Sequence, residues 1–390
     1  MSVRSAFDIC VRAVIDVTCE KKLKDDPFRR GKGRVTVGGW IGVSASQVAV
    51  GLKVFGHLMA EVISKRICCK CGLCVSSCPV NAISMTEEGP KLVSPCKACG
   101  ACYYGCPRSQ SFSAEALETS LDSDKRDDVL GRYIKIVSAR TKLDKVVARA
   151  QDGGVVTTLL MYAMEKKLID GAVVASKSPI DPWKPVPRLA LTAEEVLEAA
   201  GTKYSNCPNL LALGDAVYCY ELNKVGVVGV PCQVAAARNV KVQPYAATKL
   251  GTKIAFIIGL FCMESFVHNK LLEYLSSHKI DVSRVSKFDI KEGRFKVYVD
   301  GSEALSVPIK DMRGCVNEYC HVCGDLTALY ADVSVGAIGS QRGWSTVIVR
   351  SSVGDKLFEG AVKEGYLEVT DVGSGVETLK KIAARKALKK

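Results

Sequence analysis

A chain of 390 residues, 48% hydrophobic and 24% charged, is long enough for two or three domains with proper cores and too apolar to be disordered. Its 18 cysteines are too many for chance, yet secreted disulfide scaffolds are short, and Met1 to Cys19 lacks the basic region, apolar core and cleavage site of a secretory leader. A reducing cytoplasm is therefore expected. The formal charge of +13 favours anionic partners; with no RNA- or DNA-binding motif beside it, nucleic acid is set aside and a polyanionic small molecule ranks ahead of an acidic protein.

Residues 1–64 form an N-terminal extension of unknown role. Phe7 to Val17 reads as a short helix and Lys21 to Arg34 as a basic loop with a turn at Asp26-Pro27. Ser44 to Ile63 has helical spacing, with Val48, Leu52, Phe55, Leu58, Met59 and Val62 on one apolar face. Lys53, His57 and Glu61 interrupt it, so a membrane span is not expected and membrane contact is at most peripheral. The face reads as packing on the following unit, with docking to a partner or a membrane surface as the alternative.

Residues 65–110 carry the strongest signal. Cys68, Cys71, Cys74 and Cys78 precede Pro79, and Cys96, Cys99, Cys102 and Cys106 precede Pro107: two copies of C-x2-C-x2-C-x3-C-P. This resembles the bacterial two-cluster ferredoxin pattern, in which three thiolates of each run hold one 4Fe-4S cluster and the fourth crosses to the other. Cys68, Cys71, Cys74 and Cys106 are then one set, and Cys96, Cys99, Cys102 and Cys78 the second. Zinc competes poorly, because its sites pair two close ligands with two distant ones and have no need of this triple spacing twice. Cys69 has no place in the pattern.

Residues 111–145 read as a linker, with an acidic helix and hinge in Ser111 to Asp128. From about Tyr133 apolar strands alternate with amphipathic helices, which implies an α/β layer. Gln151-Asp152-Gly153-Gly154 opens a helix through Val155, Leu159, Leu160 and Met164, and Ile169 to Ala175 follows as a buried strand. Helices at Ala193 to Ala200 and Pro208 to Val217 precede a strand Lys224 to Gly229, and Lys253 to Leu260 is another. Arg284 to Pro308 alternates apolar and polar residues with turns at Glu292-Gly293 and Asp300-Gly301, a β meander. Strands Ala331 to Gly336 and Trp344 to Arg350 flank a loop punctuated by Gly336, Gly339 and Gly343. The tail, 376–390, is basic; a solvated helix is expected there, with anionic-membrane binding as the sharper alternative.

Cys232 and Cys262 each sit where an apolar strand ends, and Cys320 and Cys323 form a C-x2-C pair. Loops at the ends of adjacent strands converge in α/β folds, so these four thiols are candidates for a third cluster, with buried structural cysteines or zinc as alternatives. No dinucleotide fingerprint or P-loop occurs. Gly153-Gly154 at a helix start can receive a phosphate, and Lys203, Tyr204 and Ser205 offer a cation, a ring and a hydroxyl. Clusters carry one electron at a time, so a donor of electron pairs needs an intermediary such as flavin.

Seven stretches then match a known family in order: Gln151 to Thr157, Lys203-Tyr204-Ser205, Gly229 to Gln233, Ile258 to Cys262, Cys320 to Asp325, Ala331 to Gly336 and Gly343 to Arg350. Over about residues 145–370 the chain resembles the coenzyme F420 hydrogenase/dehydrogenase beta subunit family, and with the ferredoxin unit it looks like the electron-input subunits of F420H2 dehydrogenases. The resemblance implies a two-cluster ferredoxin-like domain followed by a mixed α/β flavin-binding domain, its parts at 146–240 and 241–375. It implies FAD, a third 4Fe-4S cluster on Cys232, Cys262, Cys320 and Cys323, and coenzyme F420 as hydride partner. It makes Asp152, Gly153, Gly154, Val155, Thr157, Lys203, Tyr204 and Ser205 flavin contacts, together with Gly336, Gly339, Trp344 and Thr346. A redox partner complex of hydrogenase, dehydrogenase or reductase subunits would exchange electrons with the clusters, and no side-chain acid or base is required. With three clusters loaded the net charge falls to about +7, still suited to the phosphodiester and oligoglutamate tail of coenzyme F420. Val230 departs from the threonine or serine often found there.

Overall fold

A computed structural model describes residues 51–243 and 248–388. The expected helix Phe7 to Val17 and basic loop Lys21 to Arg34 lie outside the described residues. Within Ser44 to Ile63, a helical turn Phe55–Leu58 continues into a π-turn Met59–Ile63, while Lys53 and Val54 are not helical. Phe55, Leu58 and Val62 are buried against Ile83, Cys102 and Tyr103, so this apolar face packs on the cysteine-rich unit.

That unit contains two short strands, β1 (Ile83–Thr86) and β2 (Gly89–Leu92), which pair. Helix α1 (Ala114–Thr119) follows, capped by the Ser113 hydroxyl, which accepts from Ala116 N at 3.2 Å. A hairpin of β3 (Lys125–Asp127) and β4 (Gly131–Tyr133) leads into β5 (Lys135–Thr141). The segment expected to be a linker is therefore folded structure: Leu117 is buried in the main core, and β5 pairs with strands from the far end of the chain. Its polarity misled because a sheet strand and a short helix need only one apolar face each.

Helix α2 (Val155–Glu165), β6 (Gly171–Lys177), β7 (Pro185–Ala190), helix α3 (Ala193–Glu198), β8 (Val225–Gly229), helix α4 (Pro231–Val242) and β9 (Ile254–Leu260) come next. The expected helix Pro208 to Val217 is instead a single α-turn, Leu211–Gly214, and a π-turn, Asp215–Cys219. The chain then forms a helix His268–Ser277 and an antiparallel meander of β10 (Val285–Lys291), β11 (Arg294–Val299) and β12 (Ser302–Pro308). It returns as β13 (Val333–Gly336), β14 (Ser345–Val349), helix α5 (Ser352–Lys363), β15 (Leu367–Thr370) and helix α6 (Gly375–Ala387).

One eight-stranded sheet organises these pieces, in the order β15-β5-β14-β13-β9-β8-β6-β7. Its centre, β13-β9-β8-β6, is parallel, and its flanks are antiparallel. Central strands covered on both faces read as unbroken apolar runs, as Val225–Gly229 does with every residue buried. Along β9, Ile257 faces one core with α4 and the meander, while Phe256 and Ile258 face the other with α2 and α5. A buried ion pair clamps the centre: Arg238 on α4 meets Asp332 at 2.8 Å, and Asp332 also accepts from Ile257 N and the Ser351 hydroxyl.

The cysteine-rich unit is bonded to this scaffold. Leu210 N donates to Cys71 O at 3.0 Å, the Ser76 hydroxyl donates to Leu210 O at 2.6 Å, and Asn239 donates to Tyr104 O at 2.8 Å. Gly72 has φ +93°, and a Cβ there would fall 2.9 Å from Leu211 N and Pro208 O, so glycine is needed for both turn and contact. No helix among the described residues is long and apolar enough to cross a membrane.

Candidate iron-sulfur and flavin site

The two cysteine motifs fold alike. In each loop the residue before the second cysteine (Lys70, Ala98) and the one after it (Gly72, Gly100) take left-handed φ, and a short helix follows, Leu73–Ser76 or Ala101–Tyr104. Successive turns of this kind aim amides inward, which suits an anionic body. One cavity is lined by Cys68, Cys69, Cys71, Cys74 and Cys106. A second is lined by Cys78, Cys96, Cys99 and Cys102. Cys106 thus lines the cavity of the first motif and Cys78 that of the second.

The electrostatics agree with that grouping. Burial, then the thiols of Cys99, Cys96 and Cys78, pushes Cys102 up to about 12. Burial, then Cys68 and Cys106, pushes Cys74 well above the ordinary thiol range. Thiols gathered in this way resist ionisation until a cation-rich body neutralises them, which is what a cluster supplies.

The third group is also assembled by tertiary structure. Because β8 and β9 are parallel neighbours, Cys232 in the first turn of α4 and Cys262 beyond β9 leave the same edge of the sheet. The 3-10 turn Glu318–Val322 adds Cys320, and Cys323 follows. Burial pushes Cys262 up to about 12, with Cys320 and Cys323 among the nearby thiols that add to it. Cys232 is raised well above the usual range by its hydrogen bond with Cys69, by burial, and by the neighbouring Cys69, Cys323 and Cys262. Ser265 N donates to Cys320 Sγ at 3.4 Å.

Sequence reasoning passed over three residues here. Cys69, 3% exposed, lines the first cavity and also lies beside Cys232. Arg108 reaches from the ferredoxin segment to the Cys323 side chain and donates to Val322 O at 3.2 Å. Lys386, on the tail helix α6, is 1% exposed and donates to Cys262 O at 2.5 Å and Asp325 O at 2.7 Å. The tail is thus not a merely solvated helix: Leu379, Ala383 and Lys386 are buried. Cys207 and Cys315 are buried away from these groups, whereas Cys10 and Cys19 lie outside the described residues.

The residues put forward as flavin contacts come from three segments that do meet. Gln151 Nε2 donates to Phe288 O and Asp289 Oδ1, Asp152 pairs with Lys291 at 2.9 Å, and the Tyr204 hydroxyl accepts from Ile290 N at 3.2 Å, so two segments dock on β10. Gly153 N donates to Ser345 Oγ at 3.1 Å, which brings in the third. A Cβ on Gly153 would lie 2.5 Å from Ala139 O, and one on Gly154 (φ +69°) would lie 2.9 Å from Thr141 and Val146 side chains. Chain packing therefore explains the glycine pair; the first turn of α2 beside it, at Val155 and Thr157, has N–H groups with no partner inside the helix.

Lys203 Nζ donates to the carbonyls of Ala199, Ala200 and Gly201 at the end of α3, and burial lowers its pKa to about 8. Tyr204 holds φ +58°, a conformation costly for a ring-bearing residue and often kept at functional sites. Ser205 Oγ lies 3.4 Å from His268 Nδ1. On the same edge of the sheet, where Gly336 pairs with Thr346, Gly336 lies against Phe261, a Cβ there would reach the ring at 2.2 Å, and Gly339 has φ +100°. Trp344 lies under the Arg140 guanidinium at 4.7 Å, and the buried Thr346 hydroxyl joins a chain through Ser340 to Ser138. Lys287, Asp289 and Lys291 on β10 belong to this region and went unnoticed, because a meander strand carries no motif.

Paired cysteine cavities bonded to a mixed α/β scaffold define an iron-sulfur oxidoreductase subunit. Residues 136–214 and 222–374 match the N-terminal and C-terminal parts of the coenzyme F420 hydrogenase/dehydrogenase beta subunit, and residues 61–84 match a 4Fe-4S binding domain. The chain is 39% identical to the beta subunit of the coenzyme F420 hydrogenase of Methanosarcina barkeri over 264 residues, 67% of this chain and 90% of that one. It is 33% identical to a subunit of the F420H2 dehydrogenase of Methanosarcina mazei, covering 84% of this chain and 91% of that one. Against the coenzyme F420-dependent sulfite reductase of Methanocaldococcus jannaschii it is 36% identical over 78% of this chain and 48% of that one. A chain of the F420-reducing NiFe hydrogenase complex from Methanosarcina barkeri superposes with a TM-score of 0.66 at 38% identity, over 68% of this chain and 92% of that one. The protein belongs to the coenzyme F420 hydrogenase/dehydrogenase beta subunit family.

Proposed function

We propose that the protein is the electron-input subunit of a larger redox complex, taking a hydride from reduced coenzyme F420 onto bound FAD and passing the electrons on singly. FAD supplies the conversion of a hydride into two single electrons, and three 4Fe-4S clusters supply the one-electron carriers. The first turn of α2 and Tyr204 would hold the flavin and the three thiol groups the clusters; the Lys203 ammonium, bonded to three carbonyls, fixes the loop that carries Tyr204. The reverse direction uses the same residues.

The observation that carries this reading is the place of Cys69. Its side chain lines the first thiol cavity and lies beside Cys232 of the third thiol group, so those two groups adjoin. Cys74 of the first cavity in turn lies within electrostatic reach of Cys102 of the second. The order is thus Cys232 group, Cys106 group, Cys78 group, ending where Cys96 and Cys99 are exposed. A partner protein receives or supplies electrons at that end; the relatives, subunits of a hydrogenase and a dehydrogenase, support this.

The test is an anaerobic optical titration of cluster-loaded protein with reduced coenzyme F420. Oxidation of the deazaflavin with matching bleaching of flavin and clusters supports the proposal; no oxidation despite bound FAD overturns the choice of donor. Absence of FAD from fully loaded protein replaces it with a flavin-free relay. A second reading, the same scaffold feeding a reductase, is favoured by the match to the coenzyme F420-dependent sulfite reductase over 78% of the chain.

A further inference from the structure

Among the lysines of the basic tail, Lys386 is buried. It lies beyond residues 222–374, the part that matches the family's C-terminal region, and follows helix α6 into the interior. Its ammonium donates to Cys262 O at 2.5 Å and Asp325 O at 2.7 Å, and it is within electrostatic reach of both Cys262 and Cys320. Burying an ammonium is costly, two carbonyl bonds do not neutralise it, and the acidic group within its electrostatic reach is the Asp325 carboxyl, whose pKa burial raises. A neutral side chain would tether the helix without that cost.

We propose that Lys386 is a positioning residue for charge: a fixed cation that raises the reduction potential of the cluster on Cys232, Cys262, Cys320 and Cys323. The inference rests on the third-cluster reading above. One-electron reduction adds one negative charge to a site that already carries about −2, and a nearby ammonium stabilises the reduced form more than the oxidised one. Burial leaves that attraction weakly screened. Arg108, bonded to the Cys323 side chain, is a second cation at the site, and the carboxyl of Asp325 opposes both; Lys386 is the more deeply buried of the two cations. The effect is to make the third cluster a good first acceptor for single electrons and a poorer donor onward, which sets the bias of the whole route.

The experiment is a potentiometric titration followed by electron paramagnetic resonance on full-length, anaerobically loaded wild type and Lys386→Met, Lys386→Gln and Lys386→Arg. Iron content and the number of reducible clusters in the wild type come first: if only two are present, the third-cluster reading itself fails. With three present, the expected result is that Met and Gln each shift one midpoint to lower potential, leave the other two unchanged, and that Arg keeps the wild-type value. Gln retains a donor for the two carbonyls without the charge, so a wild-type midpoint in Gln means a tether only and overturns the proposal. Unchanged midpoints in Met overturn it too, as does loss of the third cluster from both neutral variants, which assigns Lys386 a structural role.

Discussion

The Cys69 side chain lies beside those of Cys232 and Cys71, and their mutual influence holds the Cys69 pKa well below the ordinary thiol range and raises theirs. Cys69 thus stands between the first thiol group, to which Cys68 and Cys71 belong, and the third. Cys69→Ala should leave three clusters in place, because Cys69 stands outside every quartet. Stopped-flow reduction of the ferredoxin clusters by reduced coenzyme F420 should slow by roughly three- to ten-fold, about 0.7–1.4 kcal/mol of barrier. Loss of a whole cluster would instead make Cys69 a ligand.

Cys99 stands exposed at the far end of the route. Cys99→Ala should cost about four irons per chain, one cluster's complement, and reduce electron delivery to a soluble one-electron acceptor at least about ten-fold. Flavin reduction by the hydride donor should continue. Undiminished delivery to the acceptor would remove the second ferredoxin cluster from the route.

Gly153 has no room for a methyl group between Ala139 O and Ser345 N. Gly153→Ala should destabilise the protein by about 1–3 kcal/mol through forced backbone movement. The same shift carries the first turn of α2 away from Ser345, so bound flavin per chain should fall while iron content holds. Thermal unfolding with parallel flavin and iron assays separates the two effects.

Asp332→Ala would strand the Arg238 guanidinium in the interior and free Ile257 N. A cost of about 3–5 kcal/mol is expected. It should appear as a large fall in thermal midpoint; substituting both Asp332→Ala and Arg238→Met should recover part of it.

Lys203 gives a pH test with a definite sign. Burial lowers its pKa from an ordinary 10.5 to about 8, so between those values the unfolded chain binds more protons than the folded one. Stability attributable to Lys203 therefore rises with pH across that window, and the penalty is full below about pH 8. Relative to Lys203→Met, the wild type should gain on the order of 3 kcal/mol from pH 8 to 10.5, read as a converging difference in thermal midpoint. A difference that stays flat with pH would show an unshifted lysine.

Much of the architecture is legible in local pattern. The central strands announce themselves because burial on both faces demands continuous apolar runs such as Val225–Gly229, and the meander because one buried face demands alternation. Strands β5 and β15 escaped notice, since each borrows its stability from partners distant in sequence, as β5 does from β14 and β15; β7, an edge strand paired only with β6, is hidden by Pro185 and Pro187.

The ferredoxin cysteines are determined by sequence alone, because a cluster loop is local: three close thiols and two left-handed residues fold around one body whatever surrounds them. The third thiol group was nominated by strand ends and family resemblance, but only the parallel pairing of β8 with β9 brings Cys232 and Cys262 to one edge. Cys69, Arg108 and Lys386 could not be read at all. Their importance lies in contacts made across 163, 215 and 124 positions, to Cys232, Cys323 and Cys262, and such contacts exist only once the chain has packed.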